Sequence, residues 1–211
     1  GKARVLDVSA NPTMEEMCIY SLFEDSKGNL WIGTRSGIFV LDTNDKLYSL
    51  NELIPHTNQA IPQVSIFKIA EDKDGFIWVA TSNKGIWRID TSDKEYKIKF
   101  YTPEDGSLST IGTMCVCVDS YNRVWAGTNG NGLDLYDRKE DRFVSVMNDY
   151  FLNGDVVFSM LEDNDKTLWL TTNSEMYHID MPLDGKAPAV QTYTVEDGLQ
   201  DNIFNRNSCF K

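Results

Sequence analysis

"GFIWVATSNKGIWRID" spans Gly75 to Asp90. A short apolar run carrying a tryptophan ends at Thr81. A turn containing Gly85 follows, and a second apolar run ends at Asp90. Runs that are near-continuously apolar, such as "IWVAT", suit strands buried on both faces. A unit that must be covered on both sides should recur along the chain, so copies of this stretch decide the fold.

Four copies are present: Ile19–Asp42, Ile66–Asp90, Met114–Asp137 and Val157–Asp180. Aligned on Trp31, Trp78, Trp125 and Trp169, they are spaced by 47, 47 and 44 residues. Six positions before each tryptophan stands Asp25, Asp72, Asp119 or Asp163. Three positions after it stands Thr34, Thr81, Thr128 or Thr172. Each copy reads as three strands joined by tight turns. A weaker fourth strand follows in "KLYSL", "YKIKFY", "RFVSVM" and "AVQTYTV". Four short strands in this period match a β-propeller blade. The fold class is therefore all-β, a β-propeller portion of about four four-stranded blades plus the start of a fifth. No amphipathic helix is expected; "TMEEM" at 13–17 is too short.

The recurring residues suit that geometry. The tryptophan supplies a large apolar plate between blades. Two residues on, Gly33, Ala80, Gly127 and Thr171 are small and leave room beside the indole. Gly37, Gly85 and Gly132 are expected at positive φ in the second turn. Glu175 takes that place in the fourth copy, as either a reshaped turn or an exposed functional acid, the first being preferred.

The chain of 211 residues is 41% hydrophobic and 11% aromatic, as for a globular β-rich protein rather than a disordered one. It carries 20 basic and 32 acidic residues, net −12, so direct nucleic-acid or anionic-membrane contact is not expected. Many acids stand in turn-like stretches such as "EDSKGN", where Asp bonds nearby backbone N–H groups. No stretch reaches the roughly 18 apolar residues of a membrane span, and the first residues lack a signal-peptide core. Cys115 and Cys117 should share a face as buried thiols; Cys18 and Cys209 are the other two cysteines.

The pattern around each tryptophan resembles the two-component regulator propeller repeat, and the resemblance covers nearly the whole chain from about Ile19. "YTVEDGLQDNIFNRNSCFK" (193–211) resembles the lead-in to a further blade, and "YTPEDGSLST" (101–110) is an internal version of it. The resemblance implies the sensor region of a hybrid histidine kinase of gut Bacteroidetes: a periplasmic portion of an inner-membrane protein. Such sensors detect glycan-derived oligosaccharides and control transcription of utilisation genes through a phosphorelay. The resemblance also implies a seven-bladed ring that four blades cannot close, so open blade faces and self-association are expected.

No chemistry is expected of this stretch: catalytic residues, metal ligands and cofactors are all assigned as none. "DKDG" at 72–75 begins like a calcium loop but lacks the rest of its pattern, and it resembles the structural Asp-box turn of sialidases. The acids repeat with the blades instead of forming a convergent pair. His56 lies in a linker, and His178 is read as an ordinary packed residue. Binding is expected on the second-to-third-strand turns, through Arg35, Asn83, Lys84, Asn129, Asn131 and Asn173. Their amide and cationic groups suit sugar hydroxyls or carboxylates. The same residues also suit turns for conformational reasons alone. Trp87 and Tyr121 could stack on a sugar, with core packing preferred for Trp87. Asp134 replaces the aromatic of the equivalent strand position, as packing variation, a more solvated strand or a ligand contact.

Overall fold

A computed structural model describes residues 18–54, 61–146, 155–180, 188–201 and 204–206. Among them, sixteen strands form four antiparallel sheets in chain order. Blade 1 holds β1 Ile19–Glu24, β2 Leu30–Thr34, β3 Gly37–Leu41 and β4 Leu47–Ser49. Blade 2 holds β5 Ile66–Glu71, β6 Phe76–Thr81, β7 Ile86–Asp90 and β8 Lys97–Tyr101. Blade 3 holds β9 Thr113–Val118, β10 Val124–Thr128, β11 Leu133–Asp137 and β12 Arg142–Ser145. Blade 4 holds β13 Val157–Glu162, β14 Leu168–Thr172, β15 Met176–Asp180 and β16 Ala189–Tyr193. Each strand pairs with the next one in sequence, as expected of propeller blades. The weak fourth strands thus form in every copy. Among the described residues one α-helical turn occurs, α1 Leu50–Leu53. "TMEEM", His56 and Cys209 lie outside the described residues, as do 202–203 and 207–211 of the stretch 193–211.

The repeated aspartate builds the first turn of each blade. Oδ1 of Asp25 accepts the backbone N–H groups of Lys27 (3.0 Å) and Asn29 (2.8 Å), while Oδ2 accepts Nε1–H of Trp31 at 2.9 Å. The same indole bond joins Asp72 to Trp78, Asp119 to Trp125 and Asp163 to Trp169, at 2.9–3.0 Å. One carboxylate thereby satisfies the turn and the single polar atom of the tryptophan. Each turn needs one left-handed residue. Gly28 and Gly75 supply it at φ 85° and 82°, but Asn122 and Lys166 take it at 64° and 65°.

The repeated threonine builds the second turn. Thr81 Oγ1 donates to the Gly85 carbonyl at 2.7 Å and accepts the Lys84 N–H at 2.9 Å. Thr34, Thr128 and Thr172 do the same for their own turns, and all four are buried. Gly37, Gly85 and Gly132 have positive φ, whereas Glu175 does not. The fourth turn is therefore reshaped, and Glu175 is half-buried within it.

The blades meet at three apolar seams. Trp31, Ile66, Val79 and Trp87 belong to the first; Trp78, Tyr101, Tyr136 and Phe143 to the second; Trp125, Cys115, Val157 and Tyr177 to the third. The glycines two places after Trp31 and Trp125 are hemmed in by first strands: a Cβ on Gly33 would meet Ser21 of its own blade and stand 2.8 Å from Ile66 Cγ2 of the next, and one on Gly127 would meet Cys115 and stand 2.9 Å from Val157 Cγ1. Cys115 and Cys117 do share a face at the third seam, but only Cys115 is buried there; Cys117 is half-buried, and Cys18 is exposed. Trp31, Trp78 and Trp125 are fully buried, but Trp169 is only half-buried, since no described blade follows it.

Polar bonds stitch the seams at the first-turn end. The Ser26 N–H and Oγ both donate to the Glu71 carboxylate (2.6 and 2.7 Å). Lys73 Nζ donates to the Ser120 carbonyl at 2.5 Å, and Ser120 N–H to both oxygens of Glu162 at 3.0 Å.

Candidate functional site

Antiparallel pairing puts the second-to-third-strand turns at the same end of each blade as the linker leading into it. Backbone bonds fuse the two. Arg35, Ser82 and Asn129 each donate N–H to the last linker residue before their own blade, namely Cys18, Ser65 and Gly112, at 3.0 Å. Gly85 and Gly132 donate to Ile111 and Asp155, which belong to the linker into the following blade (2.8 and 2.9 Å). Turns and linkers therefore form one continuous hydrogen-bonded surface across the four blades. Such a surface presents loop side chains on a rigid scaffold.

All six residues selected from sequence lie on this surface and are exposed: Arg35, Asn83, Lys84, Asn129, Asn131 and Asn173. They come from four different blades. Two of them are occupied in holding the surface together. Asn131 Nδ2 donates to the Ser109 carbonyl (3.2 Å), and Asn173 Oδ1 accepts the Val156 N–H (2.8 Å). The charge of Lys84 is partly offset by Glu104 of the next linker. The Thr102 hydroxyl first, and Lys84 among the lesser causes, holds the Glu104 carboxyl below its ordinary range.

The two rings suggested for sugar stacking are not on this surface. Trp87 is fully buried, edge-on to Phe100, with its Nε1–H bonded to the Lys84 carbonyl at 3.0 Å. Tyr121 is exposed but sits in the first turn of blade 3, at the opposite end, flanked by Arg123 and Lys166. His178 is a packed residue: its ring stacks on Trp169 at 4.3 Å and its Nε2 lies 2.6 Å from Thr167 Oγ1.

Asp134 is not in a solvated strand. It is fully buried, Oδ2 accepts the Ser109 N–H at 3.1 Å, and among the described residues no partner meets the geometry of a bond to Oδ1. Burial raises its pKa above the ordinary carboxylate value, and Ser109 only partly offsets this. Phe39, Trp87 and Tyr177 fill the equivalent place with rings, Tyr177 bonding Asp155 of its own linker at 3.1 Å. An acid facing the linker is thus one solution to a position that a ring on the strand otherwise fills.

Sequence reasoning missed a feature of the first strands. β1, β5, β9 and β13 each carry a bulge at their second residue, which is Tyr20, Phe67, Met114 or Phe158. A bulge re-aims one side chain beside a site. These bulges lie where each linker delivers its strand, so they border the same surface. The Tyr20 and Phe67 rings meet edge-on at 5.8 Å, and the Arg206 guanidinium covers Phe67 at 4.3 Å. The recurrence of a large side chain one place into each first strand was the available signal. A register shift cannot be read from such a signal alone. Among the described residues no cluster of acids, histidines and cysteines is placed to hold a metal.

Comparison with known proteins returns the model described as two component regulator propeller, matched at residues 13–36, 60–83 and 152–174. The third copy is unmatched yet folds as the others do. The chain is 30% identical over 232 residues to histidine kinase P4 of Formosa agariphila, covering 85% of this chain and 16% of that protein. Two solved structures from B. thetaiotaomicron share the fold. One is the extracellular domain of a hybrid two component system, with TM-score 0.69, 22% identity and coverage of 86% of this chain and 24% of that one. The other is the extracellular domain of a one component system, with TM-score 0.67, 23% identity and coverage of 83% and 24%. The chain thus spans a quarter or less of each of these proteins.

Proposed function

As three of its four repeats match the two component regulator propeller model, we propose that this chain is part of the extracytoplasmic sensor region of a hybrid two-component histidine kinase. In this reading it lies in the periplasm as a portion of an inner-membrane protein. It binds glycan-derived oligosaccharides without cleaving them, and the kinase it serves controls transcription of the genes that use them. The supporting observation is the continuous surface of turns and linkers, which carries exposed Arg35, Asn83, Lys84 and Asn129 on fixed backbone. Amides and cations of that kind hydrogen-bond sugar hydroxyls and pair with uronate carboxylates.

Signalling requires that the ligand prefer one arrangement of the sensor, because equal affinity for two arrangements shifts nothing. Association of two copies through this region would provide the two arrangements. The test is a thermal-shift screen of the intact protein against glycan oligosaccharides, with the products analysed by chromatography. A rise in Tm with the oligosaccharide recovered whole supports binding without catalysis. Release of shorter products, lost on changing one acid, would replace the sensor reading with an enzyme. Capture of a protein partner with no glycan effect would replace it with a scaffold.

A further inference from the structure

The seams between blades are not closed alike at the end opposite the turn-and-linker surface. At the second seam Asp141, in the turn between β11 and β12, is gripped by blade 2. Arg88 Nη1 lies 3.0 Å from its carboxylate, Lys99 Nζ 2.6 Å and the Tyr101 hydroxyl 2.7 Å. Tyr136 of its own blade adds a bond of 2.5 Å. At the first seam the places of Arg88 and Lys99 are taken by Val40 and Tyr48, which pair with each other across β3 and β4 as Arg88 and Lys99 do across β7 and β8. The facing blade 2 loop, 91–96, is longer than its counterpart at 138–141. A groove of about 390 Å³ remains between the two blades.

The groove is furnished for a small polar ring. Its volume lies within the range of small-molecule sites, at the lower end. Tyr96 is held rigidly: its ring stacks on Trp31 at 6.0 Å and its N–H bonds the Leu53 carbonyl at 2.9 Å. Tyr48 faces it from blade 1, and neither phenol hydroxyl bonds another described residue. Burial first, then the charges of Asp25 and Asp42 and the neighbouring Tyr48, raise the Tyr96 pKa. Oδ1 of Asp42 serves its own turn at Asn44 and Lys46, with no bond to Oδ2 among those described. Lys27 closes one end by donating to the Thr91 carbonyl (2.5 Å) and hydroxyl (2.8 Å).

We propose that the groove between blades 1 and 2, walled by Tyr48 and Tyr96 with Asp42 and Asn29 at its edge, binds a neutral pyranose. Two phenols give a ring face and hydroxyls, and the carboxylate and amide accept from and donate to sugar hydroxyls. The lining carries two acids, Asp42 and Asp93, and two lysines, Lys27 and Lys94, with Asp93 paired to Lys97 at 2.7 Å, so neither sign of charge is in excess along it. This site lies at the opposite end of the blades from the turn-and-linker surface and stands apart from the sensor reading.

The test is calorimetric titration of the intact protein with the methyl glycosides of glucose, galactose and mannose, and with glucuronate. One neutral glycoside binds saturably, in the millimolar range expected of a single sugar ring, and more tightly than glucuronate. Tyr48→Ala reduces that affinity at least about tenfold, a loss of about 1.4 kcal/mol. Val40→Arg, which copies Arg88 at the next seam and fills the groove, abolishes it with the far-ultraviolet dichroism of the wild type retained. Glu140→Ala, on the exposed third turn of blade 3, leaves it unchanged. Absence of saturable binding by all the glycosides, preference for glucuronate, or binding indifferent to Tyr48→Ala and Val40→Arg overturns the proposal. Loss of binding in an Arg35→Ala, Asn83→Ala variant, with none on Tyr48→Ala or Val40→Arg, assigns the sugar to the other surface and also overturns it.

Discussion

Replacing Asp72 by alanine tests what the repeated aspartate does, because Asp163 provides a control within the same chain. Each carboxylate accepts four donors. Asp72 accepts the N–H groups of Asp74 and Phe76, the indole of Trp78 and, at 3.2 Å, Arg138. Asp163 accepts Asp165 and Thr167 N–H, the Thr167 hydroxyl and the Trp169 indole. The count is equal; the burial is not. The Asp72 side chain is 0% exposed and that of Asp163 is 28%. A donor left unpaired out of water costs roughly 1–3 kcal/mol, whereas one that water can reach costs little. Asp72→Ala strands the Trp78 indole and part of the turn, so the expected loss is about 3–5 kcal/mol. At Asp163 water replaces most of the lost bonds, and about 1–2 kcal/mol is expected. Urea midpoints at unchanged m, followed by far-ultraviolet dichroism, measure both, provided the blades unfold together. Equal losses at the two sites would show that bond number and not burial sets the cost, and the account of the motif would fail.

Gly127→Ala should cost about 1–3 kcal/mol, read as a lowered Tm, because its Cβ enters the space of Val157 in the next blade. Lys166→Gly should instead raise stability by about 0.5–1 kcal/mol, read as a higher urea midpoint at unchanged m, since φ of 65° strains any side chain with a Cβ. Asp134→Asn should change the pH dependence. Burial raises the folded-state pKa of Asp134, so the stability tied to its neutral form is full below the unfolded value of about 3.9 and is lost as pH rises through the folded value. The wild type should therefore lose Tm relative to the variant on going from acid toward neutral pH, and parallel curves would refute the assignment. Asp163 has the opposite sign. Burial disfavours its charge, but bonds from Thr167 and Trp169 outweigh this and lower the pKa to about 2. Its stabilisation is present above the unfolded value and is lost as pH falls through about 2, and an Asp163→Ala acid-unfolding curve should lack that component.

Much of the blade was legible because its determinants are local. The tryptophan finds its aspartate six residues away, and the threonine closes a turn three or four residues on. The linker "YTPEDG" and its later version "YTVEDG" both form a single 3₁₀ turn closed by a glycine at positive φ, Gly106 or Gly198. The binding surface was legible only as a set of turns. That Asn131 and Asn173 are spent on the scaffold follows from linkers whose paths the turn sequences do not specify.

The sequence by itself determined the blade: its period, its strand order, the carboxylate that each indole needs and the positions of the glycines. Those follow from hydrogen bonds and alternation within about a dozen residues. Only the tertiary structure decided what lies between blades. Tyr96 reaches Trp31 across 65 positions, and Arg88 reaches Asp141 across 53. The second seam is bolted and the first left open by the stacking of separate sheets. Asp134 is buried because a linker crosses it, not because its strand is apolar. Stacking brings together residues one repeat apart, and their chemistry is independent of the local pattern that folds each blade.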